Sequence, residues 1–256
     1  MLSVWEAVLL GLLQGITEFL PVSSSGHLVI AQLLLGIDQP MLTFDIAVHV
    51  GTLAAVIAAF WDDVKSLLKK PLSKTMLLLI IGTVPAVLAA LLLGDYIDFL
   101  FSSLLVVAIA LFCTGLFLRF SDRFHGTGNV KNMSYLSALV IGLFQAIAII
   151  PGLSRSGVTI FASLNRGLMR KDAARFSFLL SIPVIFGAVC KQLLDLRHTE
   201  SFGLSGTYLL GAVVAACFGY AAIRVFLKLL NQKSLRYFGY YCWALAILIL
   251  LLFILN

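Results

Sequence analysis

GLLQGITEFLPVSSSG (residues 11–26) aligns without a gap with GLFQAIAIIPGLSRSG (residues 142–157). The identical pairs are Gly11/Gly142, Leu12/Leu143, Gln14/Gln145, Ile16/Ile147, Ser23/Ser154, Ser25/Ser156 and Gly26/Gly157. Gln, Ser and Gly supply most of these identities, so a shared leucine-rich composition does not account for them. Each stretch belongs to an apolar run that stops at a Pro and a Ser/Gly cluster, PVSSSGH (Pro21–His27) or PGLSRSG (Pro151–Gly157), before a second, short apolar run. Proline removes a helix donor and glycine admits positive φ, so the helix breaks at both places. Irregular backbone at membrane depth survives only inside protein or beside a water-filled cavity. The second arms, 24–37 and 156–166, are shorter than the ~20 residues that cross a bilayer. The pattern therefore predicts re-entrant helical hairpins over 2–37 and 134–166, rather than pairs of full spans.

The rest of the chain agrees with residence in lipid. Of its 256 residues 61% are hydrophobic and 12% charged, against about 45–50% and 25% in a soluble domain. Six further runs are long enough to span, at 42–62, 74–94, 101–120, 172–194, 205–227 and 237–255. Residues 1–20 hold no Lys or Arg, so a secretory leader with a basic start is not expected there. The four cysteines (Cys113, Cys190, Cys217, Cys242) lie singly in apolar stretches without metal-ligand spacing and are expected to be small core residues. The expected fold is an all-α integral membrane protein, one domain over 1–256. Each half, about 1–125 and about 130–256, holds one hairpin and three spans. Three is odd, so the halves form an inverted-topology repeat, an architecture that places sites at the bilayer midplane.

Charge orients this arrangement. With the hairpins re-entrant, fifteen of the eighteen Lys and Arg fall on one side, in the segments 65–74, 119–131, 166–175 and 224–236. Lys191 and Arg197 fall on the other, and Arg155 lies inside the second motif. The positive-inside rule makes the first side cytoplasmic and puts both termini outside. The net charge of +6 thus reflects topology, and nucleic acid is not an expected partner.

Polar groups deep in apolar segments are functional candidates. Glu18 lies about 24 Å of helix from the start of the chain, too deep to reach the headgroups, and Gln14 shares its helix face. Ser23, Ser24, Ser25, Gly26 and His27 follow. Ser24 or Ser25 is expected to cap the second arm, a role compatible with chemistry because a helix start also cradles anions. His27 is either structural or an acid/base. The second hairpin offers Ser154, Arg155, Ser156, Gly157 and Thr159. A guanidinium there needs an anion, either phosphate or the Glu18 carboxylate; the surrounding hydroxyls and glycines favour phosphate. Asp45 and His49, four apart, read equally as a pair orienting His27 or a cation and as an interfacial pair. The many phenylalanines read as packing or lipid-facing residues.

QGITEFLPVSSSGH (14–27) and PGLSRSGVTI (151–160) closely resemble the two signature segments of the undecaprenyl-diphosphate phosphatase, or bacitracin-resistance, family. The resemblance extends over the whole chain in length, motif separation and span pattern, and includes FDIAVHVGT (44–52). It implies a bacterial inner-membrane enzyme that removes the terminal phosphate of the C55 isoprenoid diphosphate, with that lipid and the membrane as partners. A homo-oligomer is compatible with it. The family's nucleophile candidate falls on Ser24, its histidine on His27 and its arginine on Arg155. Its acidic motif falls on Gln14 and Glu18; with Gln at the first position a second carboxylate is absent, which weighs against a tight divalent-metal site. No cofactor is firmly implied, although Mg or Ca held at Glu18 is compatible with the motif. Chemistry at these residues would run by attack of Ser24 on phosphorus with His27 or Glu18 as base, or by water on a metal-bound diphosphate. The competing reading is a lipid-phosphate flippase or anion transporter, which shares the architecture but needs neither nucleophile nor base.

Overall fold

The computed structural model describes residues 2–37, 41–101, 103–196, 205–230 and 234–255. Two of the basic residues used above to assign sides, Arg197 and Lys233, lie outside the described residues. The regular structure is helical: α1 (Val4–Phe19), α2 (Ser24–Leu34), α3 (Leu42–Ala59), α4 (Trp61–Lys69), α5 (Lys74–Phe101), α6 (Leu104–Ser121), α7 (Tyr135–Ile147), α8 (Arg155–Asn165), α9 (Arg170–Leu196), α10 (Gly206–Leu229) and α11 (Arg236–Leu255). Among the described residues α3, α5, α6, α9, α10 and α11 are long and apolar enough to cross a membrane, with mean hydropathy from 1.8 to 2.7. They coincide with the six expected spans. The run expected at 42–62 ends sooner: α3 stops at Ala59, and WDDVKSLLK forms the separate helix α4, whose polar face holds Asp62, Asp63 and Lys65.

Four short helices form the two hairpins. At ~1.5 Å per residue, α1 with 16 residues and α2, α7 and α8 with 11 to 13 fall short of a ~30 Å hydrocarbon layer. A capping box starts α1, with Ser3 N–H donating to Glu6 Oε2 at 2.7 Å and Glu6 N–H donating to Ser3 Oγ. The two arms of the first hairpin return to the same end: Leu2, Ala7 and Leu10 share a core with Leu28, Ala31, Leu35 and Ile37. The second hairpin closes likewise, because Arg166 at the end of α8 donates through Nε to Ser137 Oγ near the start of α7, at 3.2 Å.

Close backbone approach fixes α1 and α7 against their neighbours. A Cβ on Gly11 would meet the Gly211 carbonyl oxygen of α10 at 2.5 Å, and one on Gly142 would meet that of Gly82 in α5 at 2.5 Å. Small residues let membrane helices touch in this way. Gly11 and Gly142 are aligned positions, so the two halves use one device at one place.

The open end of the second hairpin lies in a polar layer. Asp122, the C-cap of α6, accepts from Arg170 at the start of α9, from the Ser234 hydroxyl and from the backbone N–H groups of Leu235 and Arg236 at the start of α11. Arg175 pairs with Asp63 of α4. Gly128 N–H donates to the Gly167 carbonyl, and Met169 N–H to that of Gly128, both at 2.9 Å. Segments 119–131, 166–175 and 234–236 thus occupy one end of the bundle, as their basic residues anticipated. Among the cysteines Cys242 is buried and Cys113 and Cys190 are half-buried. Cys217 is exposed on α10 rather than in the core: it projects outward from a helix whose inward face is occupied by Gly211, Ala215 and Gly219.

Candidate active site

The two breaks meet tip to tip inside the bundle. Four serines at aligned positions stitch them together. Ser23 caps α2 and Ser154 caps α8, their Oγ atoms accepting from Gly26 N–H at 3.3 Å and Gly157 N–H at 3.1 Å. Ser25 Oγ accepts from Gly152 N–H of the opposite tip at 3.2 Å, and Ser156 Oγ donates to the Leu20 carbonyl at 3.0 Å. Gly157 lies where a Cβ would sit 3.3 Å from Pro21 Cβ, and Gly26 packs on Leu111. Thr159 sits deeper, donating to the Arg155 carbonyl at 2.8 Å and bonded to Ser177 Oγ of α9 at 2.6 Å. Thr114 of α6, which the sequence does not single out, accepts from Ser154 N–H and donates to the Gly152 carbonyl. Ser23, Ser25, Ser154, Ser156, Gly26, Gly157 and Thr159 are therefore engaged in building the two tips.

The cap of α2 is Ser23, not Ser24 or Ser25. The reason is the turn itself: Ser23 has φ 68° and ψ 96°, the one positive φ outside glycine among the described residues. Such a conformation costs roughly 1–3 kcal/mol for a side-chain-bearing residue. It brings the Ser23 hydroxyl over the helix start and leaves Ser24 as the first helical residue, with its own hydroxyl not used in the cap.

That hydroxyl donates to Glu18 Oε2 at 2.7 Å. Gln14 Nε2 donates to the same oxygen at 3.0 Å, and Arg155 Nη2 to the other, Oε1, at 2.8 Å. The ion pair weighed in the sequence is thus present, yet it uses only one arm of the guanidinium. Arg155 Nη1 is buried with no hydrogen-bond partner, as is Gln14 Oε1. A buried charged donor without a partner is costly, and its chemistry fits an anionic oxygen arriving beside Ser24. Both α2 and α8 point their N-termini, the positive ends of their dipoles, toward this place. Ser24 and Arg155 occupy aligned positions, so one break supplies the hydroxyl and the other the cation.

His27 is held elsewhere. Its Nδ1 lies 2.7 Å from the Ser23 carbonyl oxygen, and its Nε2 lies 2.7 Å from the hydroxyl of Tyr241 on α11. It bonds to neither Ser24 nor Glu18. Asp45 and His49 do not orient His27: His49 Nδ1 donates to the Asp45 backbone carbonyl at 2.7 Å, one turn back on α3, because the i−4 carbonyl is the acceptor within reach. Asp45 Oδ1 is buried without a partner. Among the described residues no three His, Cys, Asp or Glu side chains are arranged to hold a metal ion. Glu18, the carboxylate at the tips, already has both oxygens engaged.

Below the site an aromatic layer separates it from the end tied by Asp122. Phe19 meets Phe178 edge-on with ring centroids 5.6 Å apart, and Phe60, Phe226 and Phe238 extend the layer. These are packing residues, as expected.

Residues 7–248 match the family described as bacitracin resistance protein BacA. Among curated proteins the chain is 42% identical to an undecaprenyl-diphosphatase of Halothermothrix orenii, over 98% of each chain. It is 43% identical to undecaprenyl-diphosphatase 3 of Bacillus cereus over 96% of each, and 38% identical to an undecaprenyl-diphosphatase of Methanosphaera stadtmanae over 98% and 99%.

Proposed function

The chain belongs to the bacitracin resistance protein BacA family, and from that premise we propose that it is a multi-pass membrane phosphatase. It hydrolyses undecaprenyl diphosphate to undecaprenyl phosphate and inorganic phosphate, recycling the cell-wall carrier lipid and conferring bacitracin resistance. One observation supports this above the rest: Ser24 Oγ donates to Glu18 at 2.7 Å beside the unpartnered, buried Nη1 of Arg155. A hydroxyl, a carboxylate to receive its proton and a cation for the phosphoryl oxygens are the parts that phosphoryl transfer needs.

In the first step Ser24 Oγ attacks the terminal phosphorus, and its proton passes to Glu18 Oε2. The bond from that phosphorus to the bridging oxygen breaks, and the proton goes on to the departing undecaprenyl phosphate. In the second step water attacks phosphoserine and gives a proton to Glu18. The P–Oγ bond breaks, inorganic phosphate leaves, and Ser24 recovers its proton. Arg155 acts with both arms: Nη2 holds Glu18 in place and Nη1 takes the equatorial oxygens. Gln14 orients the same carboxylate. His27 lies out of reach of the Ser24 proton, so Glu18 is the base. Ser23, Ser25, Ser154 and Ser156 build the cradle, with backbone N–H groups of the two helix starts facing the phosphate. No step passes through a metal.

The two halves form an inverted repeat, supported by the aligned caps Ser23 and Ser154 and the aligned contact glycines Gly11 and Gly142. The chain lies in the bacterial inner membrane with the Asp122 end cytoplasmic and both termini outside. Substrate phosphate enters from the outer end, past Asp45 and His49 on α3, because the Phe19–Phe178 layer closes the other. A second chain is not required, since both tips belong to one chain; a homo-oligomer would be an addition to a complete site.

Phosphate release from the C55 diphosphate by purified protein in detergent tests the reading, since transport has no meaning there. Release by the wild type and its loss in Glu18→Gln are expected. No release under varied divalent cations would leave the flippase reading in its place.

A further inference from the structure

We propose that Tyr241 of α11 is a positioning residue for the site: its hydroxyl donates to His27 Nε2, and His27 in turn holds the strained Ser23 turn that presents Ser24. This rests on the phosphatase reading for its kinetic consequence, though not for its geometry.

The proton assignments follow from the partners. The Ser23 carbonyl is an acceptor alone, so the 2.7 Å contact makes His27 Nδ1 the donor. A neutral imidazole protonated at Nδ1 has its lone pair on Nε2. Tyr241 Oη lies 2.7 Å from Nε2, within hydrogen-bond distance of that lone pair, and the planes of the two rings are parallel to within 8°. The phenol donates. No carboxylate is bonded to the imidazole, and Glu18 is fully engaged by Gln14, Ser24 and Arg155, so nothing at the ring calls for its cationic form.

The Ser23 carbonyl receives two donors from His27, the ring Nδ1–H and the backbone N–H at 3.3 Å. These fix the carbonyl of the one non-glycine residue with positive φ among the described residues, and hence the direction in which the chain leaves toward Ser24. Left free, the imidazole could rotate away from that carbonyl. Tyr241 prevents this from outside the hairpin, 214 residues away in sequence. The adjacent Cys242 supports the same tie, with its Sγ 3.7 Å from the Pro21 carbonyl. The last helix therefore sets the geometry of the first break.

Tyr241→Phe keeps the ring and removes only the donor. We expect kcat to fall about tenfold, the loss of one buried hydrogen bond, with KM little changed. His27→Ala should lower kcat as well, and Tyr241→Phe on that background should add nothing. Wild-type kcat in Tyr241→Phe, or effects of the two substitutions that multiply, would overturn the proposal. A readout independent of turnover is the 15N spectrum of histidine-labelled protein. His27 should be the neutral Nδ1–H tautomer, and its Nε2 resonance should shift in Tyr241→Phe. The opposite tautomer, or no shift, would overturn the proposal even in a protein that releases phosphate. Absence of phosphate release from the wild type, with the tautomer and the shift as stated, would sink the phosphatase reading and leave the Tyr241–His27–Ser23 tie standing.

Discussion

Ser24 is distinguished from its neighbours by what it does not do. Ser23 and Ser25 spend their hydroxyls on a helix start and on the opposite tip, whereas Ser24 gives its proton to Glu18. Ser24→Ala should therefore lower phosphate release by at least about a thousandfold, as loss of a nucleophile does. Ser25→Ala should act mainly on stability, since it removes the acceptor for Gly152 N–H and the hydroxyl bonded to Ser23 Oγ. Arg155→Lys retains the charge but cannot place one donor on Glu18 and another on phosphate. A loss of about a hundredfold in kcat is expected, and near-normal turnover would show that the fork is not needed. Glu18 and Arg155 stood out in the sequence because polar groups in apolar runs are expensive and rarely idle, whereas Ser24 was set apart from Ser23 and Ser25 only by the family resemblance. The structural basis of that separation was not legible, since it depends on one positive φ at Ser23 that serine does not advertise. Tyr241 was hidden among the aromatic residues of YFGYYCW (237–243), where nothing marks one hydroxyl as facing a histidine from the first hairpin.

At the scale of elements, the hairpins were legible from length and punctuation alone: Pro21 and Pro151 end runs whose second arms are too short to cross. The separate helix α4 was not, because the apolar run of α3 continues through Phe60 and Trp61 and masks the turn between them. Packing between elements depends on bare backbone at Gly11 and Gly142. Alanine at either should push α1 off α10 or α7 off α5, a cost of about 1–3 kcal/mol for an overpacked contact, read as a lower midpoint of thermal unfolding in detergent. An unchanged midpoint would show that the contact relaxes freely. Asp122 ties three segments at one end. Burial pushes its carboxyl up, but hydrogen bonds from Ser234 and Arg236 N–H, the charge of Arg170 and a further bond from Leu235 N–H hold it below the usual carboxylate range on balance. Its contribution to stability is therefore present above the ordinary aspartate pKa of about 3.9, and is lost as pH falls through the lower folded value. Asp122→Asn should lower the melting midpoint at neutral pH and flatten its decline in acid. A parallel decline in both proteins would contradict the assignment.

Over the whole molecule, two hairpins bring Glu18 and Ser24 from one and Arg155 from the other to a shared point, which a single break could not do. On the proposed reading, inversion is what makes the tips meet, and the positive-inside rule orients the pair with its basic end toward the cytoplasm. Alkaline phosphatase fused after residue 256 should be active in cells, and fused within the loops near 71 or 127 inactive; the reverse pattern would overturn the orientation. The chemistry at the meeting point is tested most directly by acid-quenching the protein during turnover of undecaprenyl diphosphate and weighing the peptide that contains Ser24. A phosphoryl group on Ser24 that appears in the wild type and not in Ser24→Ala is the expected result. Steady turnover in Ser24→Ala, with no phosphorylated peptide in the wild type, would contradict a serine nucleophile activated by Glu18.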